Sequence, residues 1–305
     1  MIVHVVGNAV LDITFELDRL PQPGETLLAR ARRTDVGGKG LNQAIVARRA
    51  GGTVRFAAAV GRDAEAALIG ERMAAEGLAA DGLLVGPGPT DQSIIHLDRA
   101  GENMIVSTAA QARGLTAAAL LPRLEGLGPA DLLLMQGNLT RAATEACLRR
   151  ARAAGARTLL NPAPIDWDYG GLWPLVDLAI VNEGEACRLG GVDDPLAAAR
   201  GLGAGGAGAV VVTLGPRGAV LLRGSAAERF PAPAVTAVDT AGAGDVFCGV
   251  LAAALSPGIP EGPMPMRDAV AWAVAAASLS VTRPGTSSAF PAAAELARLR
   301  ADPGP

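Results

Sequence analysis

The chain has 305 residues, half of them apolar but only 3% aromatic, with a formal net charge of −3. That length permits one large core or two modest ones, built mainly of Ala, Val and Leu. Without a basic field or stacking aromatics, nucleic-acid binding is disfavoured, and the longest apolar stretches, such as 269–281, fall short of the ~20 residues of a membrane span.

In chain order, Ile2–Val6 reads as a first strand. No charged segment followed by an apolar one opens the chain, so a cytoplasmic location is expected. Residues 12–34, with Phe15, Pro21 and Pro23-Gly24, carry no helical period. Gly40–Ala50 is the first helix candidate, followed by strand Val54–Val60 and helix Ala64–Glu76. Thr90–Ser107 alternates polar and apolar residues around Arg99-Ala100-Gly101, the pattern of a hairpin with one wet face. Strand Asp131–Gln136, helix Arg141–Ala154 and strands Arg157–Leu160 and Leu178–Val181 come next, then helix Glu183–Leu189. Gly201–Gly208 reads as a glycine-rich connector before strand Ala209–Leu214. Helices Asp245–Leu255 and Arg267–Val281 complete the series, and Pro303-Gly304-Pro305 is expected to fray.

This βαβα rhythm of short apolar strands predicts an α/β fold, a mostly parallel, doubly wound sheet with helices on both faces. Segments 12–34 and 90–107 predict a small antiparallel flap beside it, within one domain spanning 1–305. No repeat recurs at a solenoid period.

The residue inventory narrows the chemistry. Cys147, Cys187 and Cys248 form no C-x-x-C pair and read as small buried hydrophobes in a reducing compartment. His4 and His96 are the only histidines and lack partners at metal-ligand spacing, so neither a zinc site nor Ser-His-Asp chemistry is expected. Of the 27 Lys and Arg residues, all but Lys39 are Arg. Lys39 lies inside Gly37-Gly38-Lys39-Gly40, where a compact ammonium fits and a planar guanidinium does not.

Asp239-Thr240-Ala241-Gly242-Ala243-Gly244-Asp245 precedes an apolar helical run. Small residues let a ligand approach the backbone, and the helix start presents free N–H groups, an anion hole for phosphoryl charge. Asp245 is placed either to accept a proton from an attacking hydroxyl or simply to cap the helix. Two nucleotide motifs fail. A G-x-G-x-x-G fingerprint would need Gly at Phe247, and a Walker A loop would need Ser or Thr where Gly40 follows Lys39.

The 239–245 segment resembles the C-terminal signature of the ribokinase-like carbohydrate kinases, and Gly37-Gly38-Lys39-Gly40-Leu41-Asn42-Gln43-Ala44 resembles their N-terminal one. Between them, Asn161-Pro162-Ala163-Pro164, Asn182-Glu183-Gly184-Glu185 and Thr213-Leu214-Gly215-Pro216-Arg217-Gly218 match in order. Pro23-Gly24-Glu25-Thr26 and Val281-Thr282-Arg283-Pro284-Gly285 extend the match towards both ends.

The resemblance implies an ATP-dependent kinase acting on the primary hydroxyl of a small unphosphorylated sugar. Asp245 matches the catalytic base, and Gly242, Ala243 and Gly244 the anion hole. Asp12, Gly38, Lys39, Asn42 and Asn138 fall at sugar-contacting positions. Asn182, Thr213, Gly215, Gly218 and Gly244 match the ATP site. Asn182 and Glu185 match the motif that organises Mg²⁺ largely through water, although an Asn with Glu three residues on is also a capping box. Asp239 and the carbonyls of Ala241, Ser280, Arg283 and Gly285 match a monovalent-cation site, commonly K⁺. Relatives often clasp two flaps together, so a homodimer is expected.

Four positions depart from the ribokinase pattern. Val10 replaces an Asn that contacts ribose, Asn138 a sugar-binding Glu, and Ala289 a Ser beside the cation loop, while Val274 lies where a polar group often borders adenine. The Gly7-Asn8 opening also resembles nucleoside kinases of the same fold, an alternative that needs an apolar wall for a base. A sugar-phosphate kinase would need extra cations in the flap. A catalytically silent sugar-binding regulator would be expected to lose the base or the anion hole, which are intact.

Overall fold

The structure, a computed structural model, describes residues 1–99, 101–256 and 262–301. In chain order the strands are Val3–Val6 (β1), Val10–Glu16 (β2), Ala31–Gly37 (β3), Val54–Val60 (β4), Leu83–Val85 (β5), Gln92–Leu97 (β6) and Asn103–Ser107 (β7). Leu132–Gln136 (β8), Arg157–Asn161 (β9), Leu178–Asn182 (β10), Val210–Thr213 (β11), Ala219–Arg223 (β12) and Ala226–Phe230 (β13) follow. The first helices are Lys39–Arg49 (α1), Ala64–Ala75 (α2), Ala110–Gly114 (α3), Ala117–Leu120 (α4) and Arg141–Ala153 (α5). The later ones are Glu183–Gly190 (α6), Pro195–Ala204 (α7), Ala243–Leu255 (α8), Met266–Ser280 (α9) and Ala293–Ala301 (α10).

Nine strands form one sheet in the order β13-β12-β11-β10-β9-β8-β1-β4-β5. It is parallel from β11 through to β5, and β12 and β13 add an antiparallel hairpin at the other edge. The central strands carry no polar face because helices cover both sides, so β1 and β8 are buried along their whole length. Alternate residues of β1 feed two cores. Val3 and Val5 pack with Leu41 and Ile45 of α1, Leu251 of α8 and Trp272 of α9. Val6 lies on the opposite face with Leu133, Leu148 of α5, Ala186 of α6 and Leu202 of α7.

The flap is a separate four-stranded sheet, β3-β2-β6-β7. Each arm, β2–β3 and β6–β7, is antiparallel as expected, and the seam between them, β2–β6, is parallel. The seam has this sense because β2 and β6 are the outbound strands of two excursions from the main sheet. The first arm extends beyond the expected 12–34 segment, from Val10 to Gly37, because pairing continues down to the main body, while β6 and β7 fall within 90–107.

The sequence expectation needs correction at Gly201–Gly208. Helix α7 runs through Gly201 and Gly203, so only the end of that stretch connects to β11. Asp194 caps the helix through Leu196 and Ala197 N–H, and Ala198, Ala199 and Leu202 bury its apolar face, which outweighs the helix penalty of about 1 kcal/mol per glycine. Cys147 and Cys248 are buried, but Cys187 is half-buried, its Sγ donating to the Asp193 carbonyl at 3.2 Å. Ala100 of the expected turn and the expected fraying end at 303–305 lie outside the described residues. Among the described residues, no helix is long and apolar enough to cross a membrane.

Candidate active site

The conserved chirality of βαβ units brings ligands to the carboxyl ends of parallel strands, and the polar residues converge there. Asn8 follows β1, Gln136 ends β8, Asn161 ends β9, Asn182 ends β10 and Thr213 ends β11, with Gln136 opposite Asn161 and Asn182 opposite Thr213 in register.

Helix α1 begins in this cluster because its glycines permit it. Gly38, at φ 97°, is in a region that L side chains rarely adopt, and a Cβ there would lie 3.0 Å from the Asn8 carbonyl. A Cβ on Gly40 would come within 2.6 Å of Asn8 N. The close approach lets Asn8 Oδ1 accept from Gly40 N–H at 3.2 Å and its carbonyl accept from Leu41 N–H at 3.1 Å, satisfying two orphan donors of the helix start. Lys39 is therefore held as the first residue of α1. The negative charge of Asp245 beside it raises the Lys39 ammonium above its ordinary range, with Glu185 adding to the effect and burial opposing it.

Helix α8 starts at a left-handed Gly242, φ 78°, where a Cβ would lie 2.8 Å from the Phe290 ring and 2.9 Å from Thr286 Cγ2. Gly242 and Ala243 are half-buried and Gly244 is exposed. Ala243 N–H donates to the Thr240 carbonyl at 3.3 Å, a long hydrogen bond. Asp245, in the first turn, is only 5% exposed. Its carboxylate is gripped by side chains of α1: Asn42 Nδ2 donates to Oδ2 at 2.9 Å and Gln43 Nε2 donates to Oδ1 at 3.0 Å. The helix-cap alternative does not account for that geometry, since both oxygens accept from side-chain amides.

Asp12 lies on β2, paired across the flap with Asp35 of β3 and Ser93 of β6. Its carboxylate rests on Gly37, where a Cβ would fall 2.0 Å from Oδ2. Burial pushes the Asp12 carboxyl up to about 6; a hydrogen bond from Ser93 opposes the rise, and the charges of Asp35 and Asp245 add to it. Asp35 Oδ2 in turn accepts from Ser287 Oγ at 2.8 Å, joining the flap to the loop after α9. Asn138, just beyond β8, keeps a buried Oδ1 with no partner, as does Asn42.

The Asn182–Glu185 pair forms a capping box on α6. Glu185 N–H donates to Asn182 Oδ1 at 2.8 Å, and Asn182 N–H donates to Glu185 Oε2 at 2.9 Å. This leaves Oε1 of Glu185 for other chemistry. Thr213 ends β11 with its hydroxyl directed to the Val181 carbonyl, and Gly215 opens an exposed turn with Arg217 paired to Glu183. Gly218 closes the turn at φ 86°, pressed so tightly on the Phe230 carbonyl that a Cβ would sit 1.9 Å from it. The Asp239 carboxylate ties two loops, accepting from Ala241 N–H and Gly285 N–H, each at 2.9 Å. Ser280 ends α9 and Arg283 follows in that second loop, its N–H donating to the Ser280 carbonyl at 3.3 Å and its guanidinium paired with Glu295.

Thus Asp12, Lys39, Asn42 and Asp245 are drawn together from the flap, α1 and α8, whereas Asn182, Glu185, Thr213 and Gly218 line the neighbouring strand ends. Among the described residues, no cluster of three His, Cys, Asp or Glu forms a metal cage. Sequence reasoning missed Asp35, Gln136 and Ser287, and gave no role to Gln43 and Asn161, which stand within the matched motifs. A polar Asn42-Gln43 pair within an apolar helix was the available signal. Two surface cavities, one of about 330 Å³ beside His4 and Arg55 and one of about 410 Å³ beside α7 and β11, lie away from Asp245.

A family profile described as pfkB family carbohydrate kinase matches residues 3–293. Ribokinase of Haemophilus influenzae is 30% identical, over 94% of this chain and 94% of its own. The crystal structure of ribokinase from Thermotoga maritima has a TM-score of 0.89 at 31% identity and covers 99% of both chains. Arabidopsis thaliana ribokinase, solved with ribose and ATP, has a TM-score of 0.86 at 28% identity and 98% coverage of each.

Proposed function

Because the chain belongs to the pfkB family of carbohydrate kinases and is an ATP-dependent sugar kinase, we propose that it phosphorylates the primary hydroxyl of a small unphosphorylated sugar with Asp245 as general base. The observation that carries this reading is the Asp245 carboxylate, aligned by Asn42 and Gln43 at the start of α8 beside Lys39. A charged carboxylate held by two N–H donors keeps lone pairs free for one further proton, which is what an attacking alcohol must lose.

The sugar seats between flap and main sheet. Asp12 accepts from its hydroxyl groups, the unpartnered Asn42 Oδ1 and Asn138 Oδ1 take others, and the backbone at Gly38 lets the ring approach. Backbone N–H groups of Gly242, Ala243 and Gly244 stabilise the transferring phosphoryl group, with Ala243 turning its donor from Thr240 as the nucleotide enters. The turn that the exposed Gly215 opens and the buried Gly218 closes, with Thr213 and Asn182, carries the nucleotide. Glu185, whose Oε1 the capping box leaves unused, would hold Mg²⁺ together with Asn182, and the ion would supply neutralisation of phosphate charge. Asp239 and the carbonyls of Ala241, Ser280, Arg283 and Gly285 fit a weakly hydrated monovalent cation such as K⁺, since the Asp239 carboxylate already draws those loops together.

Residues 1–305 act as one cytoplasmic domain whose flap, 12–34 and 90–107, is its lid. Asp245→Asn is expected to lower kcat by about 10²- to 10⁴-fold while leaving sugar binding near wild type. ADP release and isothermal titration measure the two quantities. Near-normal turnover in that variant would remove Asp245 from the base role, and a preference for nucleosides over pentoses and hexoses in the same ADP assay would overturn the substrate class.

A further inference from the structure

The Asp245 carboxylate is the end of a buried chain of side-chain amides. Gln136 Nε2, at the end of β8, donates to Gln43 Oε1 at 2.8 Å. Gln43 Nε2 then donates to Asp245 Oδ1 at 3.0 Å and, more weakly, to Asn161 Oδ1 at 3.3 Å. Asn161 is fixed in turn by donating Nδ2 to the Ile180 carbonyl at 3.0 Å. Gln43 and Gln136 are both 0% exposed.

The carboxylate dictates the polarity of the whole chain. An ionised Asp245 only accepts, so Gln43 must present its NH₂ group, which turns Oε1 towards β8 and requires a donor there. Gln136 supplies it, and polarisation along the chain strengthens the donor facing Asp245. Every polar atom of the Gln43 amide is thereby committed within the protein, which leaves it nothing to offer a ligand. Asn42 differs, because its Oδ1 is unpartnered. Packing sharpens the arrangement: a Cβ on Gly7 would sit 2.0 Å from Gln136 Oε1, so the β1 terminus leaves room for that amide and no side chain.

We propose that Gln43, backed by Gln136, is a positioning residue that fixes the Asp245 carboxylate for proton transfer and contributes to kcat without contributing to the binding of either substrate. The inference rests on the reading of Asp245 as the base. With Gln43 in place, one carboxylate oxygen is tied to α1 and the main sheet, and the plane of the carboxylate is set before sugar arrives. Without it, Asn42 alone holds the group and the carboxylate pivots about that single contact.

The test uses the full chain in steady-state kinetics with whichever pentose or hexose gives the fastest ADP release. Gln43→Met keeps the length and removes the amide. It is expected to lower kcat about 10- to 100-fold while KM for sugar and for ATP stays within about twofold. Asn42→Ala, by contrast, is expected to raise the sugar KM. Losing Gln43 orphans the Gln136 donor, so the paired variant Gln43→Met with Gln136→Leu, which removes both polar groups, carries the same test should the single variant fail to fold. In the cycle, Gln136→Leu costs kcat alone but adds little to Gln43→Met, since both act through one chain. Wild-type kcat in a folded Gln43 variant, or a loss expressed in KM, overturns the proposal. If Asp245→Asn is inactive in that case, only the positioning role fails; if Asp245→Asn is active, the base assignment fails with it.

Discussion

Asp12 carries a cost in stability. A carboxyl whose titration is pushed from 3.8 to about 6 by burial binds its proton more tightly in the folded chain than in the unfolded one. Folding stability therefore falls as pH rises from about 4 to about 6, and the full penalty persists above that window. Asp12→Asn is expected to stabilise the protein at pH 8 by about 1–3 kcal/mol and to change little at pH 4, while sugar affinity collapses. Urea denaturation at the two pH values, paired with titration calorimetry, measures both effects. His4 works in the opposite direction. Burial lowers it to about 4, so protonation of the unfolded chain erodes stability as pH drops from about 6.5 towards 4. Lys39 was legible from composition alone as the single lysine, and its place beside Asp245 gives that choice a reason: a guanidinium is larger and its fork would contend with Asn42 for the carboxylate. Lys39→Arg is expected to lower kcat/KM by at least about tenfold, and full activity would strip the composition argument of meaning.

Helices α1 and α8 present the site as a pair, and Gly249 sets their separation. A Cβ there would lie 2.7 Å from the Gln43 carbonyl and 2.7 Å from Val46 Cβ, and the backbone contact has no flexible end to yield. Gly249→Ala is expected to cost about 1–3 kcal/mol and to reduce kcat as well, because displaced helices move Asp245 away from Asn42 and Gln43. Thermal unfolding and initial-rate assays check both. Period and apolar runs marked α1, α2, α5, α6, α8 and α9 to within two residues, since each has an apolar face answering to one core. Helix α7 escaped because Gly201 and Gly203 read as loop. No atom contests a Cβ at either position, so packing requires neither glycine, and the buried Ala198, Ala199 and Leu202 carry the helix despite them. The amide chain was beyond sequence reach for a different reason: Gln43 and Asp245 are 202 residues apart, and only the folded sheet makes them neighbours.

At the scale of the molecule, the flap is the part whose surface is unfinished. Met104, Ile105 and Val106 on β7 are 41%, 53% and 64% exposed, a run of large apolar side chains on an edge strand. A second copy of the chain, meeting flap to flap, would cover them and blunt the edge. Ile105→Arg with Val106→Arg is expected to convert a dimer into a monomer in sedimentation velocity at micromolar concentration. A wild-type protein that sediments as a monomer would refute the clasp. The fold and the flap were both legible from alternation, whereas the sense of the β2–β6 seam was not, because register between distant excursions is fixed by where each leaves the sheet.

That seam has a mechanical consequence. A simple hairpin would hang from one root and twist freely, but this leaf grows from two roots far apart in sequence, stitched along its middle by six residue pairs between β2 and β6. Held at two roots, the leaf is braced against twisting more firmly than a hairpin on a single root. Asp12 and Asp35, paired side by side on it, are carried as one unit, and the Ser287 hydroxyl ties that unit through Asp35 to the loop after α9.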